Sequence, residues 1–181
     1  MSKVIELNSY KTKFSVGQSK SELTIKNINK EKNKLYILIG IPCSGKSTYT
    51  SKYFTNLNTI IVSSDKIRKD LTETYEFSPK INNLVFDIVK NEVQIGLSKG
   101  FDVVVDATNT NKKYRKSLIK ISKNYDCDTI AVVFKTPLSL CLERNFNRST
   151  EIRVPEHIII KMSQFDSNIK KSEGFDEINY L

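Results

Sequence analysis

From Leu35 onward, short apolar runs rich in β-branched residues alternate with longer stretches whose apolar residues recur every three or four positions. That alternation predicts an α/β fold, a parallel sheet flanked by helices. "LYILI", "TIIVS", "DVVVDA" and "TIAVVF" read as strands, and "FDEINYL" as a last one. Between them "KSTYTSKYF" reads as a helix, and "SPKINNLVFDIVKNEVQIGLSKG" opens on Ser-Pro, a helix-start signature, and ends near Gly100. Its Ile81, Leu84, Val85, Ile88 and Val89 share one face, which predicts a core-facing stripe. "NKKYRKSLIKISKNY" and "PLSLCLERNF" are further helices, and "VPEHIIIKMSQF" starts one at Pro155.

Before Leu35 the pattern changes. Met1–Lys34 holds eight lysines against three glutamates, which marks a basic N-terminal extension (1–34) ahead of the α/β domain (35–181). Within it "KFSVGQSKSELTIKNI" alternates around Gly17 and predicts a β-hairpin, while "NKEKNK" reads as a solvated linker. A solubilising appendage and a nucleic-acid-binding arm both account for it.

Composition narrows the setting. A chain of 181 residues with 27% charged and 39% hydrophobic residues fits one soluble domain. No apolar run approaches the roughly 18 residues of a membrane span, so no membrane partner is expected. "MSKVIELNSYK" lacks the apolar core of a secretory signal, and Cys43, Cys127 and Cys141 are an odd number without paired spacing. A reducing, cytoplasmic location is expected. The net charge of +9 points to an anionic partner such as nucleic acid, or to a lysine-rich surface that is merely solvated.

The chemistry begins at "GIPCSGKST", Gly40 to Thr48, directly behind the first strand. It satisfies Gly-x-x-x-x-Gly-Lys-Ser in the strand, loop, helix context that a phosphate-binding loop requires. Gly40 and Gly45 permit a backbone path through Ser44 that turns N–H groups toward phosphate oxygens, and the following helix adds its positive end. Lys46 is placed to bridge β- and γ-phosphates, and Ser47, followed by Thr48, to offer a hydroxyl to Mg²⁺. In "IIVSSDKIRKD", Asp65 and Arg68 open a helix at the strand end where open parallel sheets bind ligands. A carboxylate there accepts a proton from an attacking hydroxyl and a guanidinium holds an acceptor phosphate; a helix cap with an ordinary surface pair is the competing account.

In "DVVVDATNTNKKYRK", Asp106 ends an apolar strand where it can hold the water shell of Mg²⁺. Thr108 and Asn109 either position substrate or form a strand-ending Asx turn. "ERNFNRSTEIRVPE" brings Arg144, Arg148 and Arg153 toward a proline-started helix, as in a mobile lid over transferring phosphates or in a solvated basic loop.

The order of phosphate loop, "SSDKIR", "VVVDATNTN" and "RNFNRSTEIRVPE", with "EGFDEI" near the end, resembles the polynucleotide 5′-hydroxyl kinase family over Leu35–Leu181. The resemblance implies a P-loop kinase fold like that of adenylate kinase, three layers α/β/α with a central parallel sheet and an arginine-rich lid. It implies ATP as donor with Mg²⁺ and a 5′-hydroxyl end of DNA or RNA as acceptor. Position by position, Lys46 and Ser47 keep their phosphate and metal roles, Asp65 becomes the general base and Arg68 the acceptor-phosphate ligand. Arg148 becomes the lid arginine on the transferring phosphate, with Arg144 and Arg153 as neighbours. The chain departs from bifunctional members, whose phosphatase module carries Asp-x-Asp-Gly-Thr. Its only similar string, "DCDT", precedes a strand and lacks the glycine, so Asp126 and Asp128 read as a turn. A small-molecule kinase of the same fold and a nucleotide-binding ATPase or switch are the alternatives.

Overall fold

The computed structural model describes residues 32–73 and 78–181. The hairpin expected around Gly17 and the rest of the extension up to Glu31 lie outside the described residues.

Among the described residues five strands form one parallel sheet: β1 (Lys34–Ile39), β2 (Thr59–Ser63), β3 (Asp102–Asp106), β4 (Asp128–Val133) and β5 (Glu177–Tyr180). Their order is β2-β3-β1-β4-β5. β1 therefore sits in the centre, with Leu35 level with Val103 on one side and Thr129 on the other. The chain passes from one flank of β1 to the other, and a crevice opens at the carboxyl ends of the strands, where parallel sheets bind ligands. β1 begins one residue before the expected boundary. Lys34 pairs with Asp128, its N–H donates to Asp102 Oδ1 at 2.8 Å, and Asn33 Nδ2 donates to Gly100 O at 2.6 Å. The end of the expected linker is thus fastened to the sheet. Asp128 is corrected likewise: it is the first residue of β4, and only Asp126 is a turn residue, with φ of 46°.

Among the described residues six α-helices connect the strands: α1 (Lys46–Tyr53), α2 (Ser64–Thr72), α3 (Pro79–Ser98), α4 (Lys112–Ser122), α5 (Leu138–Phe146) and α6 (Glu156–Ser163). Strand alternation divides the core into layers. Leu35, Ile37 and Ile39 face one way and meet Val85, Val89, Val93 and Leu97 of α3 and Leu118 and Ile119 of α4. Leu38 faces the other way, with Val104, Ile130 and Val132, toward Tyr49 and Phe54 at α1. Both faces of the sheet are covered, which is why its strands read as near-continuous apolar runs. On α3 the expected stripe holds at Val85 and Val89, both 0% exposed, while Ile81 and Ile88 are partly buried at its edge. Ser78 caps that helix, its Oγ accepting from Ile81 N, and Pro79 occupies the first turn. A third cluster packs α5 against α6 through Cys141 and Ile159, over Ile41 at the start of the phosphate loop. No described helix is long and apolar enough to cross a membrane.

Candidate active site

The loop between β1 and α1 is built by two glycines that resist substitution for different reasons. A Cβ on Gly40 would stand 2.7 Å from Ser44 Oγ and 3.0 Å from Phe134 Cβ. Gly45 caps α1 with φ of 98°, a left-handed backbone that side chains disfavour. Cys43 is also left-handed, with φ of 63°. The chain is pinned from outside as well: Gly40 N donates to Thr108 O at 3.0 Å, and Thr136 Oγ1 donates to Ser44 O at 2.8 Å.

Lys46 lies inside the curl of the loop, 7% exposed. Its Nζ donates to Ile41 O at 2.7 Å, Gly40 O at 2.9 Å and Ser44 Oγ at 3.2 Å. Burial takes its pKa down to about 8, against the pull of the Asp106 and Asp65 carboxylates. Asp106, at the end of β3, is pushed the opposite way by the same burial, moderated by a hydrogen bond from Ser47 and by the charge of Lys46. Ser47 and Asp106 thus form an oxygen-only pair beside the loop. That donor set suits a hard cation such as Mg²⁺, and a cation there would relieve the buried carboxylate.

One cavity of about 840 Å³ runs from this loop to the neighbouring strand ends. Its walls include Ser44, Lys46 and Ser47 from the loop, Asp65 and Arg68 from α2, Asp106 and Thr108 from the end of β3 and the loop after it, and Arg144 and Arg148 from α5 and the turn after it. Four segments distant in sequence therefore meet in one cleft. Asp65 is exposed in the first turn of α2, but it is not the helix cap: Ser63 is, with its Oγ accepting from Lys66 N. Arg68, one turn on, is 3% exposed, and its Nη2 donates to Asn82 Oδ1 at 2.7 Å. Burial lowers the Arg68 pKa and the Asp65 charge opposes that shift.

Asn109 and Arg153 are placed otherwise than expected. Asn109 is 1% exposed, and its Nδ2 donates to Leu38 O, Ala107 O and Val105 O at 2.7, 3.3 and 3.4 Å. It ties the ends of β1 and β3 together, in a left-handed conformation that asparagine tolerates. Only its Oδ1 lacks a hydrogen-bond partner among the described residues, so contact with a substrate would have to run through that atom. Arg153 does not line the cleft; its Nη2 donates to Phe146 O at 2.6 Å and Arg148 O at 2.9 Å, closing the turn after α5. Asn145 closes the same turn from within, exchanging hydrogen bonds with the backbone of Val154. The turn is fixed at its base and turns Arg148 to the cavity, while Arg144 Nη1 reaches Cys43 O at 3.3 Å.

Several lining residues had no part in the sequence reading. Thr136 follows β4 at the ligand-binding end of the sheet, a position that could have flagged it. Asn82, Phe86 and Tyr114 come from α3 and α4, whose helical periodicity gives no sign that they reach the cleft.

Comparison with known proteins bears out the fold class. The model of the AAA domain family matches residues 35–166. The chain is 35% identical over 144 residues to the L-seryl-tRNA(Sec) kinase of Methanococcus maripaludis, covering 74% of this chain and 52% of that protein. It is similar in structure to a chain of the Pnkp1/Rnl/Hen1 RNA repair complex, with 27% identity, a TM-score of 0.65 and coverage of 84% of this chain and 49% of that one. It shares its fold with Chaetomium thermophilum Kti12 in complex with ADP-AlF3, at 14% identity, a TM-score of 0.60 and coverage of 81% and 88%. The chain spans about half the length of the first two relatives.

Proposed function

The chain belongs to the AAA domain family, and on that premise we propose that it is an ATP-dependent kinase that transfers the γ-phosphate to the 5′-hydroxyl end of a DNA or RNA strand. The observation that carries this reading is the single cleft joining a phosphate-cradling loop to an exposed carboxylate and a buried guanidinium. A hydrolase needs only the first end. A kinase needs a second place where an alcohol is held in line with the phosphate.

In this reading the Gly40–Thr48 backbone holds the β- and γ-phosphates, and Lys46 exchanges its carbonyl partners for phosphate oxygens. Ser47 and Asp106 would hold Mg²⁺, which supplies charge neutralisation across the phosphates. Asp65 takes the proton of the attacking hydroxyl as its oxygen bonds to the γ-phosphorus and the bond to the β-phosphate oxygen breaks. Arg148 stabilises the transferring phosphoryl group, with Arg144 beside it, and Arg68 holds the acceptor's own phosphate. Positioning and charge supply most of the rate.

The net charge of +9 and two relatives whose names carry RNA or tRNA support a nucleic-acid acceptor. The 35% identity to a seryl-tRNA kinase favours a second reading, in which the alcohol belongs to an aminoacyl group on tRNA. Terminally labelled ATP offered with 5′-hydroxyl oligonucleotides, seryl-tRNA, free nucleosides and sugars separates them. Label on the oligonucleotide 5′ end is the expected result. Label on seryl-tRNA, on a small acceptor alone, or on free phosphate alone would replace the reading with the second one, a small-molecule kinase or an ATPase, respectively.

A further inference from the structure

Phe86 of α3 and Tyr114 of α4 lie with ring centroids 4.2 Å apart and planes 9° from parallel. Both line the cleft, and neither has a role in the chemistry above. The stack has an inner and an outer member: Phe86 packs against the main core, whereas Tyr114 belongs to none of the core clusters. Among the described residues Tyr114 enters hydrogen bonds only through its backbone, so no polar tether explains why a tyrosine lies flat there.

The pair lies beside the proposed acceptor-phosphate ligand, Arg68. Asn82, which holds Arg68 at 2.7 Å, lies one turn before Phe86 on α3. Asn111, the cap of α4, lies three residues before Tyr114 and also lines the cleft. A molecule whose phosphate met Arg68 would therefore pass its next bulky group along Asn82 and onto the ring pair. A small polar alcohol gains nothing from a flat aromatic face, whereas a nucleobase gains a stacking partner.

We propose that Phe86 and Tyr114 form the platform on which the terminal nucleobase of the acceptor strand stacks. The proposal deepens the 5′-hydroxyl kinase reading and rests on it. Because every base has a π face, the platform selects for a base without selecting which one.

The test uses the full chain and an oligonucleotide with 2-aminopurine at its 5′-hydroxyl end, an abasic second nucleotide and a 3′ label for anisotropy. Stacking on the platform should quench 2-aminopurine at saturation with the wild type and with Tyr114→Phe, and not with Tyr114→Leu. An unchanged thermal shift on adding ATP shows that the leucine variant is folded. In transfer assays, removing the terminal base should raise the wild-type acceptor KM about 5- to 150-fold, the range of one base–aromatic stack, and should leave the KM of Tyr114→Leu unchanged. Saturable binding without quenching in the wild type, quenching retained in Tyr114→Leu, or no binding would overturn the platform. Quenching without transfer would leave the platform standing and remove the kinase reading; transfer without quenching would do the reverse.

Discussion

Lys46 is where pH should report on nucleotide binding. Burial takes its pKa from the 10.5 of an exposed lysine to about 8, while two carbonyls and the Ser44 hydroxyl satisfy its ammonium. A bound polyphosphate sets several negative charges beside Nζ and favours the protonated form, so binding should take up a proton wherever the free protein holds Lys46 neutral. With a pKa of about 8, the neutral fraction is about 0.1 at pH 7, 0.5 at pH 8 and 0.9 at pH 9, and proton uptake per nucleotide should follow it. Affinity should accordingly fall about tenfold between pH 7 and pH 9, equivalent to about 1.4 kcal/mol. Stability of the nucleotide-free protein should move the other way. The folded-state pKa lies below the unfolded one, so the cost of the buried ammonium is fully present below pH 8 and is relieved as pH rises from about 8 toward 10.5. Calorimetric titration with Mg-ADP in buffers of different ionisation heat, at the three pH values, measures the uptake directly. Heats independent of buffer at pH 8, or an uptake that does not grow from pH 7 to pH 9, would refute a depressed lysine in contact with phosphate.

Asp65→Asn should remain folded and bind ATP, since Ser63 caps the helix, while single-turnover transfer to saturating 5′-hydroxyl oligonucleotide falls by about 10²- to 10⁴-fold; near-normal transfer would remove Asp65 as base. Arg148→Ala should lower transfer with little change in melting temperature, whereas Arg153→Ala, which removes two donations to carbonyls on the protein surface, should lower melting temperature slightly and transfer less; equal losses of transfer would put both arginines on the phosphate. Arg115→Met breaks a buried ion pair with Glu173 at 3.0 Å and should destabilise the fold by about 3–5 kcal/mol, the cost of leaving one member alone, and the double variant with Glu173→Leu should recover much of that in urea denaturation.

The sheet was legible because each strand is buried on both faces and so appears as an apolar run, and the helix starts at Ser78 and Pro155 were legible because capping chemistry is local. The phosphate loop was legible because its backbone path restricts residue type at fixed spacing. The rest of the cleft was less so, because a sequence shows what a side chain is and not where its hydrogen bonds go. Asn109 has the composition of a substrate-binding residue, yet its amide fastens two strands. Arg153 differs from Arg148 by nothing visible in the sequence, yet one closes a turn and the other faces the cavity. Tyr114 reads as one aromatic in a basic helix until α3 brings Phe86 against it.

Arg115 shows the same principle at its most consequential. In "NKKYRKSLIK" it is one of several basic residues, and the surrounding lysines are exposed, but its own side chain is 3% exposed. Nε and Nη2 meet both carboxylate oxygens of Glu173 at 3.0 Å, while Nη1 donates to Asn109 O and Thr110 O at 3.0 and 2.9 Å. Asn109 in turn grips Leu38 O on β1, two residues before the phosphate loop begins at Gly40. A continuous set of bonds therefore runs from Glu173, near the end of the chain, through α4 to the strand that carries the loop. None of its members needs to touch a phosphate. Its effect is to hold the loop after β3, with Thr108 O bonded to Gly40 N, at a fixed height against the loop after β1. A phosphoryl-transfer site depends on such spacing, because an acceptor oxygen displaced by about 1 Å from line with the γ-phosphorus loses much of the advantage that positioning supplies. Removing Arg115 should therefore lower transfer in whatever fraction of the protein remains folded, with nucleotide affinity less affected, since the loop's own bonds to Thr136 and Lys46 are untouched. A folded Arg115 variant with normal single-turnover transfer would show that the network carries stability alone.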